Sequence, residues 1–290
     1  MHRPAVLVIA ATDSSGGAGL TRDVRVLTDF AVDALCVVTA VTAQSDQTVS
    51  AVHHVPPDII RAQIAAALAT RDVGAIKIGM LGTRATVEAV VAGLSASGLT
   101  FGGWPPHAIP LVVDPVLVST SGGVLLDAGG QAALTGSLFR MATLITPNVP
   151  EAAALLGEAL AADEAELIRQ GARLLAFGSQ AILLKGGHQY AGRGADEDAV
   201  DLLISRAAAR DRPALDRSAD ASHGVGRTPG DLLIDRMASK RVVGSSRGTG
   251  CALASAIAAG LASGKPLSEA CRAAKRYVLG MLTPDRAPVS

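Results

Sequence analysis

Short apolar runs that end in turn residues alternate along this chain with longer stretches of helical period. Ala5–Ala11, Leu35–Val41, Val49–Val55, Ala75–Ile78, Leu111–Asp114, Thr143–Thr146 and Ala181–Leu184 are the runs. Runs this short, bounded by Gly, Pro, Asp and Asn, predict buried strands. Between them the period changes. A helix is predicted from the Asp13–Gly19 loop to about Phe30. Another runs from Pro56-Pro57-Asp58 to about Ala69, its prolines at the start, where a missing N–H costs nothing. A third begins after Thr83, a capping residue type, and reaches about Ser97. Helices also follow Pro147-Asn148, with Glu151 in the first turn, and span Asp163–Phe177. A short strand near Val242-Val243 and two closing helices to about Leu282 complete the pattern. Strand, helix, strand in repeated order predicts an α/β fold with a mainly parallel central sheet and helices on both faces.

Three stretches lack that rhythm. Phe101–Pro110 is irregular and holds the single Trp, and Pro115–Gly123 is a loop. Residues 191–230, rich in Arg, Asp, Ala and Gly, are predicted to be a surface insertion, partly disordered. Asp201-Leu-Leu-Ile204 within it is repeated as Asp231-Leu-Leu-Ile234. No domain linker is visible, so the 290 residues are expected to form one domain with that insertion.

Composition narrows the function classes. Acidic and basic residues balance at 26 each, so no broad field is available to hold nucleic acid or an anionic membrane. Aromatics make up only 2%, too few for stacking platforms along a single strand. Three cysteines argue against a disulfide framework and for a cytoplasmic home. Cys36 falls in an apolar run and is expected in strand core; Cys271 falls in a helical pattern and is expected as packing. No apolar run reaches the roughly 18 residues of a membrane span. The apolar opening leads into a glycine-rich turn rather than a cleavage region, so no signal peptide is expected.

The densest chemistry lies in Arg247-Gly-Thr-Gly-Cys251, which runs straight into the small-residue stretch Ala252–Gly260. A glycine turn entering a helix aims unpaired N–H groups and the positive end of the helix dipole at one spot, where phosphate is the usual guest. Cys251 in that first turn is expected to have a lowered thiol pKa. A buried cysteine on a packed helix is the alternative. Other polar loops follow predicted strands: Asp13–Gly19, Gln44, Gly79–Leu81, Asp114-Pro115, Asn148–Glu151 and Lys185–His188. In an open parallel sheet such loops share one edge and form one cleft. Two decoys are set aside. Gly260–Pro266 has phosphate-loop flavour but the wrong glycine spacing, with Pro266 in place of the metal-binding hydroxyl; Gly224-Val-Gly226 follows no predicted strand. His53 and His54 are expected to be solvated.

Taken in order, several strings resemble one family, the hydroxymethylpyrimidine and phosphomethylpyrimidine kinases of the ribokinase-like superfamily. They are Ile9–Asp23, Thr39–Gln44, Lys77-Ile-Gly-Met-Leu81, Asp114-Pro-Val116, Ile145–Glu151, Leu184–His188 and Gly248-Thr-Gly-Cys251. The cysteine after Gly-Thr-Gly sets this branch apart from most sugar kinases of the superfamily, which have Asp there. The resemblance implies a three-layer α/β/α sandwich, ATP and Mg²⁺ as cofactors, a pyrimidine alcohol or its monophosphate as substrate, and a homodimer. It implies Cys251 as base, with the amides of Gly248, Thr249, Gly250 and Cys251 as an anion hole. It implies Gln44 against the aminopyrimidine edge with Asp23 nearby, and Met80 and Val116 as the apolar wall. Lys185 and Asn148 would serve the nucleotide, and Glu151 and Asp114 the metal. The chain departs from the family at Ala11-Thr12, Arg22, Thr120, Ser246 and Arg247, where the family usually has Gly-Ser, Ala, Lys, Thr and His. Arg247 is a candidate replacement for the charge missing at Thr120. A pyridoxal or pyridoxine kinase of the same fold, and a weakened homologue that only binds ligand, remain the alternatives.

Overall fold

The computed structural model describes residues 3–102, 108–119, 122–186, 198–206, 223–228, 232–242 and 247–283. Thr120, His188, Ser246, Val243, the Trp104 region and much of 191–230 lie outside them.

The chain opens with β1 (Ala5–Ala10), α1 (Gly19–Asp29) and β2 (Asp33–Val38), a βαβ unit whose two strands pair in parallel. Next come β3 (Ala40–Gln44) and β4 (Val49–His54), then α2 (Pro57–Thr70), β5 (Ala75–Ile78) and α3 (Arg84–Ser95). After β6 (Leu111–Val113) follow α4 (Ala128–Ala133), a π-helical turn at Leu134–Leu138 and α5 (Phe139–Met141). The remainder is β7 (Leu144–Ile145), α6 (Val149–Leu156), α7 (Glu164–Leu175), β8 (Ala181–Leu184), β9 (Ala199–Arg206), β10 (His223–Thr228), β11 (Leu232–Ser239), α8 (Thr249–Ala262) and α9 (Leu267–Leu282).

Nine strands form one sheet in the order β10-β11-β9-β8-β7-β6-β5-β1-β2, while β3 and β4 form a separate hairpin. From β8 to β2 every pairing is parallel; β9, β11 and β10 are added antiparallel. Side-chain parity along β1 shows the layers. Leu7 and Ile9 join one core with Ile60 and Ile64 of α2, Val90 of α3 and Leu174 of α7. Val6 and Val8 join the other with Leu27 of α1, Ile257 of α8 and Ala270 of α9. Strands buried on both faces explain the unbroken apolar runs, and the expected three-layer α/β/α sandwich is observed. Helix α8 is buried nearly all round, which its small residues permit: a Cβ added at Gly260 would lie 2.9 Å from the Cβ of Ala270 on α9. Among the described residues no helix is long and apolar enough to cross a membrane.

Helix starts follow their local chemistry. Thr83 accepts from the Thr86 amide, and Asp163 caps α7 with Glu164 and Glu166 in its first turn. Asn148 and Glu151 form a reciprocal capping box at α6, both bonds 2.8 Å.

Several expectations are corrected. Leu35–Val41 is not one strand: the main sheet ends at Val38, and Ala40–Gln44 turns away to pair with β4. Cys36 is exposed rather than core, because β2 is the edge strand of the sheet. The described part of 191–230 is not surface insertion. Val200, Leu202 and Ile204 of β9 are buried, since β8 and β11 flank the strand. The repeated string has a structural meaning, for Ile204 and Ile234 pair across β9 and β11. Gly224-Val-Gly226 lies inside β10, and the strand placed near Val242 is Leu232–Ser239 instead. Helix α4 and its π turn were not foreseen. Cys271 is fully buried on α9, as expected.

Candidate active site

The carboxyl ends of β6, β7 and β8, three neighbouring parallel strands, deliver Asp114, Asn148 and Lys185 side by side. The Lys185 ammonium donates to Asp114 Oδ1 at 2.8 Å and stands 3.7 Å from Glu151 Oε2. Thr146 donates to the same Asp114 oxygen at 3.0 Å. Asp114 is 3% exposed, so these bonds form away from bulk water. Burial works against the charge on Lys185, but Asp114 and Glu151 outweigh it and hold the ammonium above its ordinary range. Burial pushes Glu151 upward, with Lys185 pulling the other way and Asp114 adding to the rise. The side-chain oxygen of Asn148 is occupied by the α6 cap. Asp114 Oδ2 and Glu151 Oε1 have no hydrogen bond among the described residues.

The glycine turn meets this cluster. Gly248 caps α8 with φ +75°, a left-handed conformation, and a Cβ there would lie 2.2 Å from the Gly17 carbonyl oxygen. Thr249, Gly250 and Cys251 are the first three residues of α8. A Cβ at Gly250 would stand 3.2 Å from Lys185 Nζ and 3.4 Å from Asp114 Oδ2, so the helix tip lies close against the Lys–Asp pair. The Gly19 amide, at the start of α1, works to lower the Cys251 thiol.

The expected acidity of Cys251 is corrected. Loss of water around the sulfur pushes the thiol up to about 11, against the pull of Lys77 and with Asp23 and Asp114 adding to the rise. The helix start is where it was expected, but its field does not overcome desolvation.

Gln44 closes β3 at the other end of the cleft. Its backbone is held by Ser14, which donates to the Gln44 carbonyl at 2.7 Å and accepts from its amide at 2.8 Å. The Met80 carbonyl accepts from Thr39 at 2.7 Å, and Met80 and Val116 are half-buried in the loops after β5 and β6. Arg247 ties the ends together. It donates to the Ser45 carbonyl (2.6 Å) and Asp46 (2.9 Å) at the hairpin tip, and contacts Asp13 (3.4 Å). Asp13 in turn accepts from the Ala18 amide at 2.8 Å. With two carboxylates on its guanidinium, Arg247 acts here as a strap.

One predicted residue is withdrawn from the cleft. Asp23 is fully buried, with one oxygen taking Lys77 at 2.7 Å and the other Ser255 at 2.8 Å. Both oxygens are engaged by protein partners and the side chain is out of reach of solvent. Sequence reasoning missed its partner. A lone lysine inside the apolar strand Ala75-Ile-Lys-Ile78 was the signal that could have found it.

Comparison with known proteins places this geometry. The family profile described as phosphomethylpyrimidine kinase matches residues 13–233 and 231–288. A hydroxymethylpyrimidine/phosphomethylpyrimidine kinase of Rhizobium meliloti is 38% identical over 94% of this chain and 88% of its own length. The crystal structure of a Clostridium difficile phosphomethylpyrimidine kinase superposes with a TM-score of 0.74 at 29% identity, covering 97% of this chain and 100% of that one. An ADP complex of Bacillus subtilis pyridoxal kinase gives 0.76 at 26% identity, covering 100% and 95%.

Proposed function

The chain belongs to the phosphomethylpyrimidine kinase family, and from that premise we propose how its cleft transfers a phosphoryl group. It is a phosphotransferase, a hydroxymethylpyrimidine/phosphomethylpyrimidine kinase of thiamine biosynthesis. The observation that supports the reading best is the junction of Lys185, Asp114 and the tip of α8 at Gly250. A cation, a carboxylate pair and a row of helix-start amides at one point suit phosphoryl transfer, which needs positioning and charge neutralisation more than covalent chemistry.

In this reading ATP presents its terminal phosphate to Lys185 and to the amides of Gly248 through Cys251, with Asn148 beside it. Asp114 and Glu151 fit Mg²⁺. Each has an oxygen without a protein partner, and Mg²⁺ characteristically takes one or two carboxylates, with phosphate oxygens and water completing its shell. When bound there, the ion would neutralise charge on the phosphates. The alcohol lies between Gln44 and the Met80–Val116 wall, its hydroxyl facing Cys251. Because the thiol titrates near 11, thiolate is the minor form at neutral pH. The thiolate fraction grows as pH rises toward that value, so turnover is expected to climb with pH.

The Bacillus pyridoxal kinase superposes as well as the pyrimidine kinase does, so pyridoxal is the competing alcohol to test. ADP release measured with hydroxymethylpyrimidine, its monophosphate and pyridoxal in turn is expected to favour the first two. Brisk turnover of pyridoxal alone would overturn the reading, as would tight ligand binding without any transfer. Cys251→Ala is expected to lower kcat by on the order of 10²–10⁴. A single kinase domain, a homodimer and a cytoplasmic location complete the proposal. The first is supported by one sheet running through the described residues, the others by family resemblance and cysteine usage.

A further inference from the structure

Lys77 is a charge inside an otherwise apolar strand. Lys77, Asp23 and Ser255 are each 0% exposed. A buried ion pair is weak support for stability, because removing two charges from water cancels much of their attraction. The pair therefore calls for another role, and its position supplies one.

Ser255 follows Cys251 by four residues on α8, and Asp23 follows Gly19 by four on α1. Residues so spaced share one helix face, a turn apart. Gly19 and Cys251 both lie in the first turns of their helices. One turn beneath, Ser255 donates to Asp23 at 2.8 Å and ties the two helices together. Lys77 joins that bond from β5. A Cβ at Gly79 would lie 2.9 Å from its nitrogen, so the ammonium lies against the loop that leaves β5 toward the cleft. An ammonium has three donors. Asp23 takes one, and no other hydrogen-bond partner is present among the described residues.

We propose that Lys77 is a positioning residue for Cys251: its ammonium, anchored by Asp23 and Ser255 one helical turn below the cleft, supplies the positive field in which the thiol gives up its proton. The proposal rests on reading Cys251 as the reacting thiol. Four charges face that sulfur: Lys77 from β5, Asp23 from α1, Asp114 after β6 and Lys185 after β8. Loss of water dominates the shift in Cys251. Lys77 is the largest opposing influence, and Asp23 and Asp114 act against it. Lys77 remains charged, since burial works against its ammonium while Asp23, Cys251 and Asp114 outweigh that effect. Asp23 belongs to the same device, holding the lysine rather than a ligand.

The test is the pH profile of iodoacetamide alkylation at Cys251, read by mass on the peptide that contains it so that exposed Cys36 does not interfere. Lys77→Met alone leaves Asp23 buried and unpaired and risks unfolding. The informative variant is therefore Lys77→Met/Asp23→Asn, which removes both charges and is expected to stay folded. Lys77 outweighs Asp23 at the sulfur, so with both charges gone Cys251 should alkylate a few-fold more slowly below the thiol pKa. Its kcat–pH profile should move to higher pH with KM for the pyrimidine unchanged. Lys77→Arg, which keeps the charge, should restore the wild-type alkylation profile. A folded double variant that alkylates as fast as wild type, or faster, overturns the proposal and leaves the pair as packing. Failure of the kinase reading would look different: no turnover in wild type, with the alkylation shift intact.

Discussion

At the proposed phosphate end of the cleft, Asp114, Asn148 and Lys185 stand on the ends of three adjacent parallel strands, with Glu151 in the turn that follows and their charges mostly buried. At the proposed pyrimidine end, Gln44 stands on a two-stranded hairpin outside the main sheet, whose β4 is exposed along nearly its whole length. The first end is interlocked: Lys185 holds both the Asp114 bond and the Asn148 bridge, and Asn148 holds that bridge and the α6 cap. The second is held by a few tethers, Ser14 on Gln44 and Arg247 on Ser45 and Asp46. The difference teaches a division of labour. Handling a triphosphate needs fixed charges in a dry place. Choosing among alcohols needs a surface that can change without disturbing them.

The sharpest challenge to that contrast is Lys185→Met. It strips Asp114 and Glu151 of their counter-charge and is expected to cut kcat by on the order of 10²–10³ while lowering the melting temperature. A folded variant with unchanged kcat would mean the phosphate end is not where the chemistry lies. Gln44→Ala comes next. Loss of one ligand hydrogen bond should raise KM for the pyrimidine by on the order of tenfold and leave KM for ATP alone. An ATP effect would show that the two ends are not separate. Arg247→Ala should act least. Its Asp46 partner is 83% exposed, so that contact contributes under about 1 kcal/mol. The expected readout is faster amide exchange at residues 45–48 with a few-fold change in KM. A loss in kcat matching that of Lys185→Met would make Arg247 a phosphate ligand rather than a strap.

Much of this was legible before any coordinates. The strands from Ala75–Ile78 to Ala181–Leu184 carry their signal in apolar runs ended by turn residues, because strands buried on both faces need no alternation. The cap at Thr83 is local and was visible as such, while Asn148, read for the nucleotide, proved to be a cap as well. Other features were hidden for physical reasons. Leu35–Val41 looks like one strand, since a run of Val and Ala does not mark where the chain leaves a sheet; that exit is made by Thr39 binding Ala10 and Met80, both distant in sequence. Residues 199–206 sit in a region of weak period, yet they lie in core because β8 and β11 enclose them. Lys275 of α9 then reaches Asp201 at 2.9 Å, a contact 74 residues long in sequence.

By itself the sequence determined the parallel strands with most of the helices between them, the glycine turn into a small-residue helix, and which loops hold polar groups, for each of these depends on near neighbours along the chain. Only the tertiary structure decided what those groups are worth electrically. It raised the Cys251 thiol instead of lowering it, and turned Asp23 from a cleft residue into the anchor of Lys77. Ser255 completes that anchor from 232 residues away. Desolvation and buried charge act through space, and no local spacing along a chain records which residues will be brought together.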